Sequence, residues 1–402
     1  MIGAGAFPAD DAPALNDEIL ADKPGPGVII NQALILYRRR MCLNEEAWMA
    51  RPRWRSLRNF GLSLVVALVL AAAPALADDT PLSVILGVRT PPLMNTLNLV
   101  AEGAGFYKEE GLRVTTRLVD SPIEALRICQ RGEGDICPAA IEPLVDHYDD
   151  GIRMKLFLSR ASKFGVVIAV LQDSPIKNLA DLKGKSIGVH SAAGSAGTFT
   201  TQSALAAAGL GPADATMVTI GMDKQAMQAF TSGKVDAVGL PLYELVPYMV
   251  AGVKMRVFRH PLVGDFPNGG YAAAPSVMAA KADALGHFSR AIVKASLLIR
   301  HNPMAAARYI LTTQGKPFTG EDVQRTAAQL AAWEDELPAS DPESRTIGAV
   351  PESGVQTYIG LLADSGVTKR LIPASEVVTD RFIAFANDFD RSAFERRVKS
   401  MR

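Results

Sequence analysis

The chain has 402 residues, with 42 Lys+Arg against 42 Asp+Glu, 48% apolar residues and a formal net charge of zero. That length exceeds what one hydrophobic core usually sustains, so two packed lobes are expected. The apolar fraction excludes a disordered polymer, the charge balance excludes a bulk polycation built for nucleic acid, and three cysteines exclude a disulfide-stapled mini-domain.

Residues 1–48 carry Pro8, Pro13, Pro24 and Pro26 and show no helical or strand period. They read as a non-translated or disordered extension, with translation starting at Met41 or Met49. Arg51, Arg53, Arg55 and Arg58 then precede an uncharged run from Phe60 to Ala77, which ends in Ala-Leu-Ala before Asp78 and Asp79. A basic region, an apolar core and small residues at the end are the parts of a signal peptide, here 49–77 with cleavage after Ala77. Pro74 breaks a helix near that point. An uncleaved anchor is the alternative, but the run is at the short end of the roughly 17–25 residues that span a bilayer. No cysteine follows the run, so lipid anchoring there is not expected. Residues 78–402 keep 34 basic against 35 acidic side chains, with Cys129 and Cys137. In an oxidising compartment such a pair tends to form a disulfide; two buried thiols fit the spacing equally well.

From residue 78 onward the pattern is α/β. Strand Ser83–Val88, helix Leu97–Glu110, strand Arg113–Val119, then a helix ended by Gly132 and a strand opened by Asp135 make a first lobe, 78–171. Strand Ser186–Val189, helix Thr198–Ala208, strand Met217–Ile220, and a helix, glycine and aspartate at Gly233 and Asp236 repeat the plan in a second lobe, 172–270. A shift of 101 places Ala125 on Ala226, Gly132 on Gly233, Asp135 on Asp236 and Val119 on Ile220. The same shift upstream puts Gly87-Val88 on Gly188-Val189 and Thr90 on Ser191. Asp135 and Asp236 read as turn residues at a strand start. Residues 271–402 return to the first lobe through a strand at Ser276–Ala280. Helices follow at Ala282–His301, Pro303–Thr312, Glu321–Leu337, Glu352–Asp364 and Glu376–Phe389. Strands alternating with helices imply a clamshell of two mainly parallel sheets flanked by helices. The chain is expected to cross between lobes near Val170–Ser174 and Gly269–Ala274.

In open parallel sheets ligands bind beyond the carboxyl ends of the strands, which selects the candidate residues. The first such loop, Arg-Thr-Pro-Pro-Leu-Met-Asn, offers Arg89, Thr90 and Asn95; an arginine fork suits a carboxylate or sulfonate. The second, running from His190 to Thr198, offers His190, Ser191, Ser195 and Thr198. Small residues there expose backbone N–H groups ahead of a helix start, which favours an anion. The remaining two loops offer Glu142, Tyr243 and Glu244. These suit amino or ring N–H donors, with Tyr243 as a stacking platform. The loops disagree about charge, so an anion and a ring bearing N–H donors both remain open.

The run L-N-L-V-A-E-G-A-G-F-Y-K-E-E-G-L-R-V at 97–114, Asp173-Ser174-Pro175-Ile176, A-D-L-K-G-K-S-I-G-V at 180–189 and F-T-S-G-K-V-D-A-V at 230–238 carry a family resemblance. Together they resemble the type II periplasmic solute-binding proteins of ABC transporters, in the nitrate/sulfonate/taurine and thiamine-pyrimidine-precursor branch. The resemblance covers roughly 80–390 and thins beyond 300. It implies a two-lobed type II periplasmic binding protein that captures a small solute. Its implied partners are the permease and its ATPase in the inner membrane, with no nucleic acid. A monomer is expected, with no cofactor, metal or catalytic residue.

Two short strings match enzyme motifs. Gly184-Lys-Ser186-Ile-Gly188 matches G-x-S-x-G, but Ser186 enters a strand where a nucleophile elbow leaves one. Ser174-Pro-Ile-Lys177 matches S-x-x-K without its companion motifs. No histidine has another at i+3 or i+4, and His147 sits in an acidic turn. The alternative is an exported hydrolase or a membrane-anchored solute sensor with the same fold.

Overall fold

The structure is a computed structural model that describes residues 79–87, 95–161, 163, 165–190, 192, 196–221, 223–263, 267, 269–333, 346–364, 368 and 370–402. The extension, the signal-peptide run and Cys42 lie outside these. Among the described residues no helix is long and apolar enough to cross a membrane.

In the first lobe β1 (Thr80–Leu86) pairs in parallel with β2 (Leu112–Leu118). Beside them β10 (Gly269–Ala273) lies between β3 (Cys137–Ala140) and β4 (Lys155–Ser159), antiparallel to both. Ile136 bridges Val84 in the parallel sense, and the Ile85 N–H donates to the Ile136 carbonyl at 2.8 Å. The lobe therefore runs β2-β1-β3-β10-β4. In the second lobe β7 (Thr216–Thr219), β6 (Ser186–Val189), β8 (Ala237–Pro241), β5 (Val166–Leu171) and β9 (Met255–Phe258) form one sheet in that order. The two orders correspond strand for strand. Parallel pairing holds within each strand–helix unit, whereas β5 and β10 run antiparallel to both neighbours.

That arrangement moves the crossings. Val166–Leu171 pairs inside the second sheet, so the chain leaves the first lobe between Ser159 and Val166. It returns between Phe258 and Gly269, because β10 belongs to the first lobe. The return strand expected at Ser276–Ala280 is instead a helix, α8 (Pro275–Ala280), with proline in its first turn, where the missing N–H costs nothing.

The repeat is visible in backbone detail. Helices α3 (Pro122–Gln130) and α6 (Asp223–Thr231) coincide under the 101 shift. Gly132 and Gly233 follow them at φ 76° and 75°, a left-handed turn that a Cβ disfavours. Asp135 accepts from the Ser83 N–H at 2.8 Å and hydroxyl at 3.0 Å; Asp236 accepts from the Ser186 N–H at 2.9 Å and hydroxyl at 2.7 Å. Each aspartate thus splices the third strand onto the first. This equivalence places Ser83 on Ser186, a shift of 103, so the upstream match at Gly87 slips by two residues. A slip of two preserves the face of a strand, which is why the pattern still matched.

β5 is buried on both faces. Val167 and Ala169 enter the core shared with the first lobe, and Ile168 and Val170 enter a separate core with Ile187, Leu182 and Leu205. A strand covered on both faces has no polar face to alternate with. Gly239 in β8 lies against helix α5 (Ala196–Ala207): a Cβ there would collide with the Thr201 hydroxyl.

In the first lobe helix α1 (Thr96–Gly103) breaks at Gly105 before α2 (Phe106–Glu109), where one continuous helix was expected. The long helix α9 (Ala282–His301) carries Phe288, whose ring stacks on Tyr107 at 5.6 Å and meets Tyr271 edge-on at 5.1 Å. Helices α10 (Pro303–Thr313), α11 (Gly320–Ala332) and α12 (Glu352–Asp364) follow. The helix expected over 376–389 is only the short α13 (Ile383–Asn387), because Val378 bridges Leu156 and extends the first sheet. A last helix, α14 (Arg391–Lys399), has no counterpart in the sequence reading. Cys129 and Cys137 form a disulfide that ties the end of α3 to the start of β3.

Candidate functional site

The residues after each parallel strand fall where the topology gathers strand ends. Glu142 stands in the first turn of α4 (Ile141–Asp146), directly after β3; Tyr243 and Glu244 stand in the first turn of α7 (Leu242–Val250), directly after β8. The 101 shift carries Ile141 to Leu242, so Glu142 and Tyr243 occupy equivalent positions. A carboxylate in the first turn of a helix is favoured by the exposed N–H groups there, which fixes Glu142 and Glu244 locally.

Glu142 is buried, with 6% of its surface exposed. Its Oε1 accepts from the phenol of Tyr358 in α12 at 2.7 Å. Tyr358 is fully buried, and burial followed by the neighbouring Glu142 charge holds its phenol well above the usual tyrosine range. The phenol is therefore the donor and the carboxylate the acceptor. On its other side the Tyr358 ring packs on Phe199 of α5, centroids 6.4 Å apart. One residue thus touches both lobes.

Glu244 is held differently. His190 follows β6, and its Nε2 lies 2.9 Å from Glu244 Oε2, with 19% and 10% of the two side chains exposed. An ionised carboxylate only accepts, so Nε2 carries the hydrogen. The loop is pinned further by the Ala192 N–H, which donates to the Thr219 hydroxyl at 2.8 Å. Thr198 is buried in the first turn of α5. Asn95, just before α1, accepts from the Asn98 amide at 2.6 Å, and Asn98 accepts from the Tyr107 phenol at 2.9 Å. Arg89, Thr90, Ser191 and Ser195 lie outside the described residues.

The structure thus joins His190 to Glu244 and gives Glu142 a partner that sequence reasoning missed. Tyr358 sits 216 residues further along, in a helix whose pattern shows only burial. The enzyme motifs are occupied otherwise. The Ser186 hydroxyl donates to Asp236, and Lys177 Nζ donates to the Ser174 carbonyl at 2.9 Å rather than to its hydroxyl. His147 Nδ1 lies 2.9 Å from Asp150. Among the described residues no group of His, Cys, Asp and Glu is placed to hold a metal ion.

The chain as a whole is similar to known proteins. The chain is 23% identical over 314 residues to the riboflavin-binding protein RibY of Chloroflexus aurantiacus, covering 70% of this chain and 86% of that one. Among solved structures, the periplasmic aliphatic sulphonate binding protein SsuA of Escherichia coli superposes with a TM-score of 0.57 at 18% identity, covering 74% of this chain and 92% of that one. The alkanesulfonate-binding protein SsuA of Xanthomonas axonopodis pv. citri, bound to MOPS, gives 0.54 at 18% identity, covering 75% and 99%. The two-lobed fold is therefore that of periplasmic binding proteins. A sequence profile described as NMT1/THI5 like matches residues 95–306, more than half of the length. The chain belongs to the NMT1/THI5-like family.

Proposed function

We propose that this protein is the extracytoplasmic substrate-binding protein of an ABC transporter, which captures a small organic solute between its lobes and delivers it to the permease. Export through residues 49–77, release at Ala77 into the periplasm and a non-enzymatic role belong to the same proposal. The observation that carries it is a carboxylate at the strand ends of each lobe, each held by a donor from another element: Glu142 by Tyr358 and Glu244 by His190. Two fixed acceptors suit a solute with amino or ring N–H donors, such as an aminopyrimidine, and disfavour a sulfonate. The flavin relative supports a donor-bearing ring as well.

Binding to the folded state alone raises stability by about 2.7 kcal/mol when ligand is at 100 times Kd. Purified protein is to be melted with 4-amino-2-methylpyrimidine, riboflavin, taurine and ethanesulfonate. A rise in Tm with a donor-bearing ring is expected. A rise with the sulfonates alone contradicts the carboxylate reading, and no rise combined with turnover of p-nitrophenyl esters makes the protein a hydrolase.

A further inference from the structure

The Glu142–Tyr358 pair has a feature that packing does not require. Tyr358 is contributed by α12, downstream of both repeated units, yet its ring stands between the strand-end helix α4 of one lobe and the first turn of α5 in the other. Its ring meets Phe199, and the buried side chains of Glu142 and Thr200 lie beside its hydroxyl. A phenylalanine at 358 would fill that space without bringing a hydroxyl out of water. The hydroxyl is retained against a carboxylate that is itself buried. Within the second lobe the analogous job falls to His190, which holds Glu244.

We propose that Tyr358 is a positioning residue of the solute site. It fixes the Glu142 carboxylate in one orientation, so that its acceptor atoms are set before a donor-bearing solute arrives. Through its ring on Phe199 it also links that orientation to the approach of the second lobe. The inference rests on the solute-binding reading above and adds a residue from outside the two strand-end loop sets. Preorganising an acceptor spares a bound donor the cost of ordering it, and misplacing a buried charged partner is worth a factor of about ten or more in affinity.

The test uses Tyr358→Phe, Glu142→Gln and the double variant, each purified as the full exported protein. The probes are 4-amino-2-methylpyrimidine and riboflavin, titrated by calorimetry, with ligand-free melting as a control. Tyr358→Phe keeps the ring and is expected to fold, yet to bind the probe at least tenfold more weakly. The double variant is expected to bind no more weakly than Glu142→Gln, because Tyr358 acts through Glu142. Wild-type affinity in Tyr358→Phe, even with a lowered melting temperature, makes the residue merely structural and overturns the inference. So does a double-variant loss equal to the product of the single losses. A wild-type protein that binds neither probe is a different outcome: it sinks the donor-solute reading, and this inference with it.

Discussion

At the scale of single residues, charge in this protein is governed by what each group can reach. His260 illustrates it. The residue is buried in the return connection, its Nδ1 accepts from the Leu262 N–H at 3.2 Å, and its Nε2 lies 3.0 Å from the Ser203 hydroxyl. With Nδ1 accepting, Nε2 carries the proton and the ring is neutral. Burial pushes its pKa down from 6.5 to about 4. Between those values the unfolded chain takes up a proton that the folded one refuses. Stability is therefore complete above pH 6.5 and is lost as pH falls toward 4, by on the order of 1–2 kcal/mol after allowance for solvent screening. Replacing His260 by Gln keeps a side-chain donor for Ser203 and should flatten the fall of melting temperature between pH 7 and 4; an unchanged slope would refute the assignment. Glu142 and Glu244 were legible as strand-end acids, because position after an apolar strand is a local property. Their partners were not equally legible. His190 lies 54 residues from Glu244 and Tyr358 lies 216 from Glu142, and no period in a chain encodes which buried hydroxyl meets which carboxylate.

At the scale of elements, the helix–turn–strand unit was legible because its signals are local and repeated. Gly132 and Gly233 end their helices, and Asp135 and Asp236 bind the first strand of each lobe. The failures occurred where tertiary pairing overrode propensity. Val377 and Val378 sit in a helical pattern, yet the Val377 carbonyl accepts from the Leu156 N–H at 2.8 Å because the first sheet offers an edge there. The disulfide belongs to this scale too. It closes a turn of eight residues between α3 and β3, with both sulfurs buried. A loop that short contributes about 2.5 kcal/mol by restricting the unfolded chain. Cys129→Ala with Cys137→Ala should lower stability by about that amount in urea, and thiol titration of the denatured, unreduced wild type should find neither Cys129 nor Cys137. Equal midpoints for the two proteins, or free thiols in the wild type, would contradict this.

At the scale of the whole molecule, the same strand order in both lobes shows one plan used twice, and the C-terminal helices join the copies. Helix α11 packs on α7 of the second lobe, while α12 sends Tyr358 between α4 and α5. Protein recovered from the periplasm should have the mass of a chain beginning at Asp78, two units lighter for its disulfide; a mass that includes residues 49–77 would favour the anchored alternative. What could not be read from sequence at this scale was the exchange of strands. A strand returning to the first lobe after the second was expected, but not that it is β10, seated between β3 and β4, nor that β5 pairs with β8 and β9, which both lie far ahead of it.

That exchange has a consequence for how the protein comes into being. Synthesis proceeds from the amino end at several residues per second, and the gap between β3 and β4 stays open until Gly269–Ala273 has been made. An early folding checkpoint halfway along the chain is therefore excluded for the first sheet. The first sheet of the nascent protein stays incomplete for most of elongation, and the edges of β3 and β4 that take β10 stay unpaired until then.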